Sequence, residues 1–307
     1  MTGKIISIVN RKGGVGKTTL TVCLVEALLD SLDPRERKEA AIVVDMDPQG
    51  SLTTALFNVP DPNLRLKQLK AMSVERRTIH HLIEDKLQGQ TPNLNDVRYI
   101  SRGLTDLYYS LIGNDSDAWS AERKFLRNGF SEQDVHKAIG ALLADLKKQY
   151  RYVIIDCPPG QTLLAEGAVL ASDLLLCPLT PDWLAFWGME EFERHMLSLF
   201  EDRAARPKAF WTVTRFNARA GAKNPHTLIL RELEKRADPS IDFLREAGSA
   251  DPIQRRINLP EDAKISKRLN GASAPNKPWT FSKAYESKTI EAVRRLARAV
   301  RKELNDG

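Results

Sequence analysis

Cysteine is scarce in this sequence, and long hydrophobic runs are missing from it. Three cysteines among 307 residues, Cys23, Cys157 and Cys177, form no Cys-x-x-Cys pair and are odd in number. They indicate small reduced hydrophobic residues rather than a disulfide framework or a metal cluster. No uncharged apolar run approaches the roughly 18 to 20 residues of a membrane span. The N-terminal apolar stretch IISIV has five residues and no cleavage-site pattern, so we expect no signal peptide and a cytoplasmic location.

Aromatic residues are also few, at 7%, whereas 28% of the residues are charged and the mean hydropathy is −0.36. This composition is typical of a globular protein with a charged surface. A chain of 307 residues can bury a large core in one domain or in two smaller ones. Three loop-like stretches, 58–63, 89–96 and 271–279, are not rich enough in flexible residues to be interdomain linkers. One domain is therefore the better interpretation.

Charge is distributed unevenly along the chain. Residues 1–202 carry 23 Lys/Arg against 28 Asp/Glu, whereas residues 203–307 carry 23 against 12. A basic C-terminal third beside an acidic remainder suggests a polyanionic partner. We expect a single domain over 1–307, with helical insertions at about 58–150 and this basic third at 203–307.

Short apolar runs alternate with segments of helical periodicity. This alternation predicts an α/β fold with a mostly parallel β-sheet flanked by helices on both faces. The predicted strands are 4–9, 40–45, 152–160, 173–179 and 208–214. The predicted helices are 17–31, 132–149, 161–171, 186–200, 224–236 and 287–304.

The stretch NRKGGVGKTTL, residues 10–20, departs from the usual phosphate-binding pattern. That pattern is Gly, four free positions, then Gly-Lys-Ser/Thr, but Arg11 occupies the first glycine position and an extra lysine, Lys12, follows it. A strand before the loop and a helix after it are the context that phosphate binding requires, because backbone N–H groups and the helix N-terminus then converge on the anion. Lys17 would reach the β- and γ-phosphates, and Thr18 would place its hydroxyl on Mg²⁺. The predicted binding residues here are Gly13, Gly14, Val15, Gly16, Lys17, Thr18 and Thr19; the alternative is a merely flexible turn.

Carboxylates follow two of the predicted strands. VVDMDPQGS, residues 43–51, carries Asp45 and Asp47, and IIDCPPG, residues 154–160, carries Asp156. With a phosphate loop upstream, Asp156 is expected to support Mg²⁺; the alternative is an ordinary strand cap. Asp45 is expected to support the loop rather than to do chemistry.

The motifs KGGVGKTT, DMDPQGS and IIDCPPG, in that order, resemble the ParA/MinD family of ATPases with a deviant Walker A P-loop. The Asp-Pro-Gln-Gly version favours the ParA branch. Segments 111–119, 178–192 and 257–267 are similar to ParA proteins as well, so the resemblance covers essentially the whole chain. It implies a P-loop NTPase fold.

The resemblance implies roles for two further residues. Lys12 would be the signature lysine that reaches into the partner subunit and contacts its ATP; otherwise it is a solvated loop charge. Asp47 would orient the attacking water; otherwise it caps the helix that starts near Gly50. The implied cofactors are ATP and Mg²⁺, and the implied catalytic residues are Lys12, Lys17 and Asp47. The implied activity is a weak, partner-stimulated ATP hydrolase that forms a homodimer with ATP.

The ParA resemblance also implies a function and partners. We expect an ATPase that binds nucleoid DNA without sequence preference and positions plasmid, chromosome or protein cargo, with hydrolysis stimulated by a ParB-like adaptor. The basic third supports DNA binding, although a solvated surface with no partner is the alternative. The candidate DNA contacts are Arg215, Arg219, Arg255, Arg256, Lys264, Lys267, Arg268 and the arginines of the final helix. The phosphate loop starts at residue 10, so we expect no N-terminal helix-turn-helix domain.

Specific segments of the sequence argue against three other functions. A MinD-like membrane-cycling ATPase is the main alternative, but the apolar stripe of the last helix lacks Trp and Phe and is expected to dock on the core, so we expect no membrane partner. A nitrogenase-reductase-like enzyme would need cluster cysteines, and a tyrosine kinase would need a tyrosine-rich tail, whereas the last tyrosine is the isolated Tyr285. His80 and His81 are adjacent and therefore face different ways on a helix, which argues against a metal pair. Trp183 and Trp187 lie four residues apart, and we expect them to pack.

Overall fold

The computed structural model of the protein describes residues 3–56, 62–101, 105–115, 117–201, 206–216, 228, 257–260 and 285–305. The strands in this part of the chain are β1 (Lys4–Ile8), β2 (Ala41–Asp45), β3 (Tyr99–Ser101), β4 (Tyr109–Ile112), β5 (Tyr152–Asp156), β6 (Leu174–Leu179), β7 (Lys208–Phe216) and β8 (Ile257–Pro260). The helices are α1 (Lys17–Asp30), α2 (Ser51–Leu56), α3 (Pro62–Val74), α4 (Ile79–Leu87), α5 (Leu94–Val97), α6 (Ala118–Arg127), α7 (Glu132–Gln149), α8 (Leu163–Ala171), α9 (Trp183–Ser198) and α10 (Ser287–Glu303). None of these helices has the length and apolar composition needed to cross a membrane.

The strands of the described residues form one sheet in the order β3-β4-β2-β5-β1-β6-β7-β8. All neighbouring pairs are parallel except β3 and β4, which run antiparallel at one edge. The prediction of a mostly parallel sheet is therefore confirmed. Three strands were not predicted: β3, β4 and β8. The four-residue β8 begins the segment 257–267, whereas β3 and β4 lie inside the region expected to hold helical insertions. They have three and four residues, too short for hydrophobic periodicity to distinguish them from buried loop.

Helices cover both faces of the sheet, as predicted. Side chains alternate along each strand, so Ile6 and Ile8 of β1 pack with α1 and α10, while Ile5 belongs to the opposite core. On that second face, α7 and α8 pack with the sheet through residues such as Leu142 and Leu164. Each face of the sheet is thus dry, which explains why its central strands read as continuous apolar runs rather than alternating ones.

The last helix docks on the core, as the sequence predicts. Val293, Ala297 and Val300 of α10 are fully buried against α1. Just before α10, the hydroxyl of Tyr285 lies 2.5 Å from a carboxylate oxygen of the buried Glu26 on α1. The apolar stripe on which the membrane-cycling alternative depends is therefore packed inside the protein.

Most predicted helix bounds agree with the structure to within a few residues. Helix α7 matches the predicted 132–149, and α8, α9 and α10 begin or end one to three residues from their predicted limits. The loop-like stretch 89–96 includes the start of α5, where the side chain of Asn93 accepts from the N–H of Asn95. The predicted helix 224–236, apart from residue 228, and the stretch 271–279 lie outside the described residues.

Candidate functional site

The glycine-rich loop lies at the carboxyl end of the sheet, between β1 and α1. Strand β1 has β5 on one side and β6 on the other, and the chain crosses β1 when it passes from β5 to β6. A change of direction of this kind opens a crevice at the carboxyl ends of parallel strands, which is where ligands of open α/β sheets bind. The loop, Asp45 and Asp156 all lie at this edge of the sheet.

The backbone of the loop takes a shape that requires glycine. Gly14 and Gly16 have φ values of +74° and +92°, in the left-handed region where a side chain would be strained. Gly16 is the N-cap residue of α1, and it offers no side-chain hydrogen bond to the first N–H groups of that helix. Such N–H groups with the helix dipole behind them form a favourable anion site. In the part of the chain that the structure describes, a Cβ added at Gly13 or Gly14 would meet no atom within 4 Å, which leaves room on the outer side of the loop.

Lys17, the first residue of α1, turns back into the loop. Its Nζ donates to the carbonyl oxygens of Asn10 and Lys12 at 3.2 Å each, and the residue is only 7% exposed. Burial lowers the pKa of Lys17, while the nearby carboxyl group of Asp156 acts in the opposite direction. The loop thus encloses a buried cation held mainly by neutral carbonyls, which an anion in the loop would bind more strongly.

Asp156 is positioned for a divalent cation. It faces Asp45 across the β2–β5 pair, and its Oδ2 accepts a 2.7 Å hydrogen bond from Thr18 Oγ1. Its other oxygen, Oδ1, is buried and has no hydrogen-bond partner among the described residues. Burial, followed by the charge of Asp45, raises the pKa of Asp156 to about 8. An unsatisfied carboxylate oxygen beside a hydroxyl fits the oxygen-ligand preference of Mg²⁺, so Thr18 and Asp156 fit the predicted metal site.

Asp45 holds the turn that follows β2. One carboxylate oxygen accepts from the N–H and the hydroxyl of Thr53 at 2.7 and 2.6 Å, and the other accepts from the N–H of Asp47 at 3.1 Å. Burial raises the pKa of Asp45 to about 7. This carboxylate anchors the turn, as expected from the sequence. Thr53, in turn, accepts from the N–H of Asn114 at 2.9 Å; neither partner was predicted, because only the fold brings them together.

Asp47 is nine-tenths buried at the start of the turn. Its Oδ1 accepts from the N–H of Gln49 at 2.9 Å, and its carbonyl accepts from the N–H of Gly50 at 2.8 Å, just before α2. Both contacts are made to N–H groups that precede α2, so they shape the turn before the helix rather than cap the helix itself. The contact with Gln49 uses one carboxylate oxygen, so it is compatible with the water-orienting role that the resemblance implies.

Lys12 lies on the outside of the loop, in an ion pair that was not predicted. Its Nζ is 2.9 and 3.1 Å from the two carboxylate oxygens of Asp182, and both side chains are about two-fifths exposed. Asp182 also caps α9 by accepting from the N–H of Ala185 at 2.8 Å. Burial acts to raise the pKa of Asp182, but hydrogen bonds from Thr180 and Lys12 hold it below its usual value. In this structure Lys12 is therefore a partly exposed, paired charge. The Pro-Asp sequence before α9 signals a helix start but does not identify Asp182 as the partner of Lys12.

The expectation that both tryptophans pack was wrong for Trp187. Trp183 is 38% exposed and Trp187 is 65% exposed. The buried stripe of α9 instead runs through Ala185, Met189 and Phe192. Spacing of four residues places two side chains on one helix face, but it does not tell which face meets the core.

Two sets of residues from the sequence analysis remain, the adjacent histidines and the candidate DNA contacts. His80 and His81 have ring centroids 4.1 Å apart, and the hydroxyl of Thr78 lies 3.0 and 2.7 Å from their Nδ1 atoms. Arg215 belongs to β7, but its side chain is not among those described. The arginines of the final helix lie on α10, where Arg295 and Arg298 are exposed. The remaining candidate DNA contacts lie outside the described residues; they are Arg219, Arg255, Arg256, Lys264, Lys267 and Arg268.

The protein resembles partition proteins in sequence. Residues 3–206 match the AAA_31 family model, described as an AAA domain. The sporulation initiation inhibitor protein Soj of Bacillus subtilis is 31% identical over 189 residues, which cover 62% of this chain and 63% of Soj. The chromosome partitioning protein ParA of Myxococcus xanthus is 29% identical, over 62% of this chain and 56% of that protein. The matched segment thus spans less than two thirds of these relatives.

Solved structures share the fold over nearly the whole chain. An ATP complex of a Cyanothece McdA variant has a TM-score of 0.68 at 18% identity and covers 100% of this chain and 98% of its own. The cobyrinic acid a,c-diamide synthase of Mycobacterium smegmatis, with ADP and magnesium, has a TM-score of 0.65 at 23% identity and coverages of 99% and 96%. At these identities the likeness establishes the fold alone. The family match over residues 3–206, together with the ParA and Soj relatives, identifies the chain as a member of the AAA_31 family and a ParA-family P-loop ATPase.

Proposed function

We propose that the protein is a cargo-positioning ATPase that dimerises with ATP, binds DNA without sequence preference, and hydrolyses ATP when a ParB-like adaptor engages it. The cargo is a plasmid, a chromosome or a protein assembly, and the working location is the nucleoid. The main support for the proposal is the placement of two lysines in the phosphate loop. These two lysines lie in different environments, since Lys17 is buried inside the loop while Lys12 is partly exposed on its outer side, where it pairs with Asp182.

ATP with Mg²⁺ is the proposed ligand of the loop. Left-handed glycines, uncapped N–H groups of α1 and the buried ammonium of Lys17 would together bind its phosphates. Thr18 and Asp156 would hold Mg²⁺, which, when bound, neutralises phosphate charge during phosphoryl transfer. The nucleotides in the two similar structures, ATP in one and ADP with magnesium in the other, support this assignment.

Lys12 is the proposed link between two subunits. Two ATP molecules that face each other across a dimer would repel, so a cation donated from each subunit to the other's γ-phosphate would make closure depend on ATP. Lys12 is suited to this role because its ammonium is already at the surface and is held by an exposed carboxylate that a phosphate would replace. Losing the γ-phosphate by hydrolysis would then release the partner.

Asp47 is the proposed residue that orients the attacking water. It is nearly buried and lies on the turn fixed by Asp45. Burial lowers the pKa of Lys17, and Asp47 is close enough to act in the opposite direction, behind Asp156 and Cys157. A single oriented carboxylate without a trans-acting arginine suits slow hydrolysis. Slow hydrolysis suits a timer that an adaptor can accelerate.

DNA is the proposed surface on which the dimer moves. In the described part of the basic third, Arg295, Arg298 and Lys302 of α10 are exposed, whereas Arg294 bonds to Asp30 at 2.9 Å. Contacts from such side chains to phosphates carry no base readout, so binding would be indifferent to sequence. A dimer doubles the number of contacts, so binding would also depend on ATP.

Light scattering of the wild-type protein with Mg²⁺ and either AMPPNP or ADP tests this proposal. We expect a dimer with AMPPNP and a monomer with ADP, and random duplex DNA should bind only the dimer. A protein that stays monomeric with AMPPNP at micromolar concentrations would contradict the proposal.

A further inference from the structure

An exposed apolar patch lies at the beginning of α9. We call it the α9 patch, and it consists of Trp183, Leu184 and Trp187. Leu184 is 73% exposed, Trp187 is 65% exposed, and the two indole rings are 6.3 Å apart. Single exposed apolar residues are normal on a protein surface, but three in one helical turn, two of them tryptophans, indicate a surface that another molecule covers.

The patch is next to the phosphate loop. It starts directly after Asp182, the residue that binds Lys12. One turn beyond Trp187, the carboxylate of Glu191 forms a 2.6 Å ion pair with Arg11, the residue before Lys12. Residues 183, 187 and 191 are spaced by four, so they lie along one side of the helix. The α9 patch is thus flanked by two ion pairs that join α9 to the loop.

We infer that the α9 patch is covered by a second copy of this chain in the ATP-bound dimer. The inference rests on the proposed function, in which Lys12 reaches across the subunit boundary. A loop whose lysine crosses that boundary must itself lie at the boundary, and two ion pairs place α9 beside it. The apolar patch is therefore continuous with the proposed dimer face.

The charges around the patch also favour a second copy over another partner. The same surface carries two cations, Arg11 and Lys12, and two carboxylates, Asp182 and Glu191, all partly exposed. In a twofold dimer the same surface of each subunit faces its copy, so a surface with both positive and negative side chains can place opposite charges against each other. A surface built for a partner of one charge would instead carry the opposite sign throughout.

The size of the patch is appropriate for a dimer contact. Buried aromatic side chains contribute about 150–250 Å² each, so the exposed parts of the patch amount to a few hundred Å² per copy. Two copies would supply on the order of half of the ~1,600 Å² buried in a standard interface. Tryptophans near the centre of an interface commonly dominate its affinity.

The test compares Trp187→Ala with Trp119→Ala as a matched control, because Trp119 is 59% exposed and lies on a different helix, α6. Dimer dissociation constants are measured by sedimentation with AMPPNP and Mg²⁺. We expect Trp187→Ala to weaken the dimer about tenfold or more, as for a central aromatic contact, and Trp119→Ala to leave it unchanged. Trp187→Phe should recover most of the affinity. Monomer affinity for nucleotide, measured below the dimerisation concentration, should be the same in all of these proteins.

A second variant guards against a local effect on α9. Leu184→Ser changes the most exposed member of the patch and should weaken the dimer in the same direction. Wild-type dimer affinity in both Trp187→Ala and Leu184→Ser would overturn the inference while leaving the proposed function standing. The same holds if those variants lose only adaptor-stimulated hydrolysis, which would assign the patch to the adaptor. A wild-type protein that stays monomeric with AMPPNP would overturn the proposed function and the inference together.

Discussion

Nζ of Lys12 lies 2.9 Å from a carboxylate oxygen of Asp182, the residue that caps α9. The pair joins the phosphate loop to a helix 170 residues further along the chain. It also gives the lysine a carboxylate to bind when no phosphate faces it. In the proposed dimer, Lys12 must therefore leave the carboxylate of Asp182 to bind a phosphate. A stronger Lys12–Asp182 contact makes the free energy of dimerisation less favourable.

Replacing Asp182 should strengthen the dimer. Asp182→Asn removes the charge that competes for Lys12 but keeps an N-cap residue that is about as good for a helix. We expect the AMPPNP-dependent dimer to tighten several-fold, measured by sedimentation, with the thermal midpoint little changed. Asp182→Ala is the control, because it removes the cap as well and should lower helix stability by about 0.5–2 kcal/mol. Identical dimer affinities in wild type and Asp182→Asn would show that the ion pair does not hold Lys12 back.

Two substitutions at Asp47 should separate its contact within the turn from its proposed chemistry. Asp47→Asn keeps an oxygen that can accept from Gln49, whereas Asp47→Ala loses it. If Asp47 orients water, both variants should lower single-turnover hydrolysis by about 100-fold or more, as for other positioned acid–base groups, while both still form the ATP dimer. Hydrolysis at the wild-type rate in Asp47→Asn would assign the residue to the turn alone.

Stability without nucleotide should fall as pH rises. Burial raises the pKa of Asp45 to about 7 and of Asp156 to about 8, both above the value of about 3.8 expected for an unfolded chain. The folded protein then binds more protons than the unfolded chain between about pH 4 and pH 8. The free energy of unfolding therefore falls as pH rises across this window, and the stabilisation by the two protonated carboxyl groups is fully lost once pH exceeds their folded pKa values of about 7 and 8. The thermal midpoint should decrease from pH 6 to pH 9.

Asp156→Asn provides the control for that pH profile. It removes the group with the highest shifted pKa, so the midpoint should depend less on pH and should lie above wild type at pH 9. Addition of Mg²⁺ and ADP should raise the wild-type midpoint most at high pH, because the cation replaces the protons. A midpoint that rises from pH 6 to pH 9 without nucleotide would contradict the buried-carboxylate description.

The candidate phosphate contacts on α10 should contribute to DNA affinity without specificity. Replacing Arg295, Arg298 and Lys302 together by alanine should weaken binding of random duplexes equally and reduce the slope of log affinity against log salt. Arg294→Ala is the comparison, since that side chain already pairs with Asp30. Fluorescence anisotropy with AMPPNP across a salt series measures both. Unequal losses among unrelated sequences would mean base readout, which the proposal does not contain.

The sequence was most informative where one local segment performs one task. Buried apolar strands followed by a glycine loop or by aspartate predicted β1, β2 and β5. They also assigned Thr18 and Asp156 to one Mg²⁺ site, and the structure brings these two side chains into contact because strand ends in a parallel sheet meet at one edge. What could not be predicted depends on tertiary placement. The Lys12–Asp182 pair joins residues far apart in the chain, and the exposure of Trp187 depends on the rotation of α9 about its axis. Hydrophobic spacing alone specifies neither.

The most direct test of the account compares Lys12→Ala with Lys17→Ala. Removing Lys17 takes a cation from inside the loop, so nucleotide binding itself should be lost. Removing Lys12 takes away only the outer cation, so the monomer should bind ATP with near wild-type affinity but form no dimer. Nucleotide titration beside light scattering with AMPPNP and Mg²⁺ measures both properties. A monomeric, nucleotide-bound Lys12→Ala protein is the predicted result, and a Lys12→Ala protein that dimerises like wild type would contradict the account.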